Sequence, residues 1–191
     1  MPDLPEVETV RKGLSRHLKG FCIEEIKVLS DRSIASKGGA EVFRSKMLGV
    51  IVGEWQRRGK YLIASLQKKH PSDEQLLEFG WWVVHLRMTG YFQIYKKSIE
   101  PCRHTRVRFL NKKGYEVRFV DTRNFGQMWW LGPETLPEES ISGLKRIGPE
   151  PFSEDFSTTF IKKSLEGKRR CIKSALLDQS IFAGTGNIYA D

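Results

Sequence analysis

Near the start of the chain, Val7, Val10, Leu14 and Leu18 recur at helical spacing and form one apolar stripe, which predicts an amphipathic helix over 5–19. Pro5 suits its first turn, Glu6 and Glu8 suit the positive end of its dipole, and Lys19-Gly20 supply a stop. From residue 22 the period changes. Short runs rich in β-branched and aromatic residues predict strands over 22–29, 50–55, 61–66, 81–86, 91–95, 106–110, 116–121 and 127–131. Turn clusters such as Asn111-Lys112-Lys113-Gly114 separate them. Many short strands with few helices predict a β-sandwich or barrel. Residues 132–152 are rich in Pro, Gly and Glu and read as a linker. Helical character then returns. Ser153 with Glu154 and Asp155 reads as a cap, and Phe156, Phe160, Ile161 and Leu165 read as the buried face. A second helix is expected over 169–180, and Gly184-Thr185-Gly186-Asn187 makes a tight turn into another.

Composition adds a partner to this picture. Of 191 residues, 39% are hydrophobic and 11% aromatic, which excludes a disordered polyelectrolyte. No apolar run approaches the roughly 20 residues of a membrane helix. The acidic, proline-bearing start MPDLPEVET does not read as a secretory signal, so a soluble cytoplasmic protein is expected. Lys and Arg number 32 against 23 Asp and Glu, a net charge of +9. Such an excess favours a polyanion, because each neutralised phosphate releases counterions; a basic surface kept for solubility is the alternative. Cys22, Cys102 and Cys171 form no Cys-x-x-Cys pair, so neither a zinc site nor a disulfide framework is supported within this chain.

Pro2 is the most unusual chemical candidate. Removal of Met1 would expose a secondary amine, which can attack an aldehydic carbon and give an iminium directly. With a generic α-amino pKa of about 7.7–8.0, roughly a quarter to a third is unprotonated near pH 7.5, against about a thousandth of a lysine. An ordinary terminal proline is the alternative. Asp3 and Glu6 could move protons beside that amine, although helix-dipole complementation alone explains Glu6. Lys60, in Arg57-Arg58-Gly59-Lys60 at the start of a strand, suits either a phosphate or a solvated strand edge. His85 reads by default as a packed histidine. Met88, beside a Gly turn, could wedge between base steps. Arg123 and Phe125 in Asp121-Thr122-Arg123-Asn124-Phe125-Gly126 could probe a base stack, with core packing of Phe125 as the alternative. The Gly184–Asn187 turn offers backbone N–H groups to a phosphate, or simply connects helices.

These pieces occur in one order. MPDLPEVETV, RRGKYL, HLRMTG, DTRNFG, the Ile-Gly-Pro-Glu-Pro of 147–151, and IKSALLDQSIFAGTGNIYAD resemble the successive motifs of formamidopyrimidine-DNA glycosylases, over the whole chain. The resemblance implies an α+β protein with a catalytic domain over 1–131, comprising an amino-terminal helix and an antiparallel β-sandwich. A linker over 132–152 and a partial helix–two-turn–helix domain over 153–191 follow. It implies a bifunctional glycosylase and AP lyase of base-excision repair, monomeric, acting on double-stranded DNA that carries 8-oxoguanine, formamidopyrimidines or abasic sites. Pro2 would form the Schiff base, with Asp3, Glu6 and Lys60 as its catalytic neighbours. His85, Met88, Arg123, Phe125, Lys173 and Asn187 would contact DNA. The nearest rival is the endonuclease VIII branch for oxidised pyrimidines, which resembles MPEGPE at the amino terminus, so Leu4 favours the purine branch. A non-catalytic DNA-binding remnant is the rival from another class.

Two departures stand out. Position 3 is Asp where the family carries Glu, which withdraws the carboxyl by roughly 1 Å, and a misplacement of about 1 Å can cost about 10²-fold in rate. The resemblance also implies that the chain ends inside a motif, short of a terminal Cys-x-x-Cys…Cys-x-x-Cys zinc finger. No cofactor is expected in this chain, zinc belonging to that finger, and weaker DNA binding than an intact enzyme is expected.

Overall fold

The computed structural model describes residues 2–72, 75–97 and 99–191. Helix α1 spans Leu4–Leu18 and buries Val7, Leu14 and Leu18 of the expected stripe. Its stop is Gly20, whose φ of +78° suits glycine and whose N–H donates to Val52 O at 2.8 Å. Strand β1 is Glu25–Val28, shorter than expected because Cys22 forms only an isolated bridge with Ile51. Helix α2, Gly39–Met47, was not anticipated; its buried Phe43 and Met47 are four residues apart, and the preceding glycines mask that pattern. Strands β2 (Ile51–Arg58), β3 (Tyr61–Lys69), β4 (Leu76–His85), β5 (Gly90–Tyr95), β6 (Thr105–Leu110), β7 (Glu116–Asp121) and β8 (Gln127–Leu131) follow.

These strands form two four-stranded antiparallel sheets, ordered β1-β6-β7-β5 and β2-β3-β4-β8. One apolar layer lies between them, with Trp55, Leu62 and Trp82 from the second sheet against Val107, Phe109 and Phe119 from the first. The rings of Trp82 and Phe109 are 4.6 Å apart. The outer face of β3 and β4 is covered as well. Tyr61, Ile63 and Val83 pack there against Ile141 and Leu144. Burial on both faces explains why these strands read as continuous apolar runs. Strand β4 begins five residues before its expected start, because Leu76 and Leu77 are exposed and lack the buried alternation.

The segment expected as a linker carries two short helices, α3 (Pro137–Ser140) and α4 (Ser142–Lys145), which supply Ile141 and Leu144. Helix α5 is Thr158–Leu165, capped by Ser157, whose hydroxyl accepts the Phe160 N–H at 3.1 Å. Ser153 instead turns back on Glu150 through its N–H and hydroxyl, which moves the helix start downstream. Phe156, Phe160, Ile161 and Leu165 are only half-buried. Helix α6 is confined to Ile172–Leu176, because Asp178 accepts the N–H and hydroxyl of Ser180 and closes a local turn. Helix α7, Asn187–Ala190, begins after the glycine turn.

Candidate active site and nucleic-acid interface

The amino terminus is held by a closed set of contacts. Asp3 precedes α1, and its N–H donates to Glu6 Oε2 at 2.9 Å. Its carboxylate is buried, with Oδ1 2.9 Å from Lys60 Nζ. Asp3 Oδ2 is buried with no hydrogen-bond partner among the described residues. Lys60 is therefore not a solvated strand edge: it is 3% exposed and lies in the turn between β2 and β3. The helical segment closes the other side. Leu4 N–H donates to Gly184 O at 3.0 Å, and a methyl group on Gly186 would overlap Asp3 Oδ1 and crowd Lys60 Nζ. Only glycine permits this approach. Gln179 shapes the turn, donating to Thr185 O at 2.7 Å and accepting Gly184 N–H at 2.9 Å. Tyr189 donates its hydroxyl to Glu6 Oε1 at 3.0 Å. Desolvation pushes the Glu6 carboxyl up, but the Asp3 N–H and the Tyr189 hydroxyl outweigh it and hold the group below its ordinary value. Pro2 is half-buried at the head of this array; the expected removal of Met1 concerns a residue outside those described.

Glu150 holds the turn that carries Lys60. Its carboxylate accepts Gly59 N–H at 2.5 Å, Arg57 at 2.7 Å and Arg58 at 3.2 Å, while Arg58 also donates to Ile147 O and Gly148 O. Burial raises the Glu150 carboxyl, but these donors hold it below the usual carboxylate range. A cleft of about 410 Å³ opens beside Lys60, and His85, Arg87, Arg146, Asp178 and Gln179 are among its lining residues. His85 is buried edge-on against Tyr61 at 4.4 Å. Its Nδ1 accepts Arg87 N–H at 3.1 Å, leaving Nε2–H as its donor. Burial first, then Arg87 and Lys60, push its pKa down to about 3, so the ring is neutral at physiological pH.

A second group projects outward. Met88 is 42% and Phe125 39% exposed, which rules out core packing of Phe125. The loop that presents Phe125 is wound around the buried carboxylate of Asp121, which accepts Phe125 N–H at 2.8 Å, Gly126 N–H at 2.7 Å, Arg123 N–H at 3.2 Å and the Thr89 hydroxyl. With its backbone drawn inward, the Phe125 side chain is left on the surface. Lys173 and Asn187 are exposed at the heads of α6 and α7, and Lys173 pairs with Asp191; among the described residues no hydrogen bond or ion pair joins either to Met88 or Phe125. Among those residues, no three His, Cys, Asp or Glu side chains are grouped to hold a metal. Among the described residues, no helix is long and apolar enough to cross a membrane.

Two family models match in chain order. The model of the formamidopyrimidine-DNA glycosylase N-terminal domain matches residues 1–128, and that of the formamidopyrimidine-DNA glycosylase H2TH domain matches residues 147–191. The chain belongs to the formamidopyrimidine-DNA glycosylase family. It is 60% identical to the formamidopyrimidine-DNA glycosylase of Prochlorococcus marinus strain MIT 9211 and 53% identical to that of strain NATL1A, over all 191 of its residues. The chain spans 66% of the length of both relatives. Among solved structures, Lactococcus lactis Fpg in complex with DNA containing an abasic site is 29% identical with a TM-score of 0.84, covering 99% of this chain and 64% of that one. The same protein with a THF-DNA and an inhibitor is 30% identical with a TM-score of 0.85, covering 100% and 66%. Within the glycosylase motifs, the site residues that sequence reasoning missed are Asp121, Glu150, Gln179 and Tyr189. Asp121 precedes an Asn-Phe-Gly turn, and Glu150 stands between two prolines in a basic chain, so both carried a weak local signal.

Proposed function

We propose that this chain carries the catalytic core of a bifunctional DNA glycosylase and AP lyase that removes oxidised purines, such as 8-oxoguanine and formamidopyrimidines, from double-stranded DNA. The observation that carries the reading is the buried Asp3–Lys60 pair, closed over by the Gly184–Gly186 turn next to the amino-terminal proline. The damaged nucleotide leaves the stack to reach this site, because its reacting atoms are inaccessible within a duplex. The Pro2 nitrogen attacks the sugar C1′, the glycosidic bond breaks, and the base leaves with the bonding pair and takes up a proton. Asp3, the proposed acid for ring opening, takes up the proton that the Pro2 nitrogen releases on attack and passes it to the sugar ring oxygen, and the opened sugar is left as the iminium. Loss of the C2′ proton expels the 3′ phosphate, and a second elimination expels the 5′ phosphate. Glu6, ionised at neutral pH, stabilises the iminium and accepts protons. Lys60, Lys173, Asn187 and the Nε2–H of His85 hold phosphates, while Met88, Arg123 and Phe125 fill the gap and address the orphaned base.

Borohydride trapping on a duplex with an abasic site, read by mass spectrometry, tests this reading. The expected result is a covalent adduct mapped to Pro2 in chains lacking Met1. Duplex binding without an adduct, with Met1 absent and DNA in excess, overturns the catalytic reading in favour of a DNA-binding role.

A further inference from the structure

The exposed Phe125 ring carries two guanidinium groups. Arg123 lies 5.0 Å from its centroid and Arg32 lies 5.1 Å from it. Arg32 comes from a distant part of the sequence, a short 3-10 turn at Asp31–Ser33. Asn124 fastens that turn to the Phe125 loop: its Nδ2 donates to Ser30 Oγ at 2.8 Å, and its Oδ1 accepts the buried Ser33 hydroxyl at 3.0 Å. A cleft of about 420 Å³ lined by Arg32, Arg87, Met88, Asn124, Phe125 and Gln127 opens at this junction. Arginines elsewhere in the fold include several that are neutralised. Arg11, Arg57, Arg58, Arg118 and Arg170 each pair with a carboxylate. Among the described residues, the Arg32 guanidinium has no carboxylate or hydrogen-bond partner, and its contact is the ring. A guanidinium resting on an aromatic face is held in place while its N–H edge stays open to acceptors, and its planar fork matches two phosphate oxygens.

We infer that Arg32 is a DNA-contacting residue, whose guanidinium, steadied by Phe125, clamps a backbone phosphate beside the Met88–Phe125 wedge. This rests on the reading of the chain as a DNA glycosylase. The Ser30–Asn124 tie makes the 3-10 turn and the wedge loop one unit, so the clamp and the wedge meet the duplex together.

Equilibrium binding to a duplex carrying a tetrahydrofuran abasic analogue, measured across salt concentrations, tests the inference with Arg32→Ala, Arg32→Lys and Arg16→Ala. Arg16 is exposed on α1 and removes the same charge from a different element. Arg32→Ala is expected to bind roughly five- to tenfold more weakly near 0.1 M salt, with the slope of log affinity against log salt reduced by about one. Arg32→Lys keeps the slope but loses affinity with the fork, and Arg16→Ala changes neither. Unchanged affinity and slope in Arg32→Ala overturn the inference alone. A loss that follows the opposite base with no change of slope also overturns it, because Arg32 then reads a base. Failure of the unmodified chain to bind any duplex overturns the parent reading and this inference with it.

Discussion

The ammonium of Lys60 and the carboxylate of Asp3 are both withdrawn from water, and each is the other's ionic partner at 2.9 Å. Removing charges from water is expensive, so the pair is a weak source of stability but strongly resists losing one member. Lys60→Met keeps much of the side-chain volume and strands the Asp3 carboxylate. It is expected to destabilise the fold by about 3–5 kcal/mol in urea unfolding, with the Asp3→Asn/Lys60→Met double variant recovering most of that. Equal stability of Lys60→Met and the unmodified chain would show that the carboxylate is not stranded. Pro2, by contrast, was readable as a candidate from its position and chemistry, while the burial of Lys60 was not: its neighbours Arg57, Arg58 and Gly59 read as a solvated edge.

At the scale of one element, the loop between β7 and β8 depends on a single carboxylate. Asp121 offers two oxygens to three backbone N–H groups and one hydroxyl. Asparagine at this position retains one acceptor oxygen and turns its amide NH2, itself a donor, toward the remaining donors. Asp121→Asn is expected to lower stability by about 2–3 kcal/mol, since hydrogen bonds to a charged group contribute about 1.5–3 kcal/mol and buried donors lose their partners. DNA affinity should fall with it, as the loop no longer holds Phe125 outward. Paired urea and duplex-binding titrations check this, and unchanged values in both would remove Asp121 as the organiser. The same loop shows the limit of pattern reading. Runs of β-branched and aromatic residues located β7 and β8 to the residue, yet they could not tell whether Phe125 between them faced core or solvent.

For the whole molecule, acid sensitivity follows from groups on the seam between sandwich and helical segment. His85 is held neutral, its pKa pushed down to about 3, while Glu150 lies below its ordinary value and Asp178 is lowered to about 2. For His85 the unfolded chain binds the extra proton, so stability is fully present above about pH 6.5 and declines as pH falls from there toward 3. For Glu150 and Asp178 the stabilisation is present above their unfolded values and is lost only as pH falls through the lowered ones. The window from about pH 6.5 to 4.5 therefore isolates His85, with a slope of up to about 1.4 kcal/mol per pH unit. Urea midpoints across that window should fall for the unmodified chain and flatten in His85→Gln; equal slopes would assign the sensitivity elsewhere.

The sequence by itself determined α1, the strand-rich middle of the chain and the ordered motifs, because helical and strand periodicities and turn residues are local properties. It also marked Pro2, Met88, Arg123 and Phe125 as candidates, because their chemistry is unusual where they stand. It missed α2, the two short helices within 132–152 and the true bounds of α5 and α6, where few apolar positions or competing side-chain turns weaken the local signal. Tertiary structure decided the rest. That Lys60 is buried on Asp3, that Glu150 grips a turn some ninety residues earlier, and that Arg32 shares a ring with Arg123 are facts of proximity between distant segments. Burial and charge pairing depend on what arrives from elsewhere in the chain, and no local pattern encodes that.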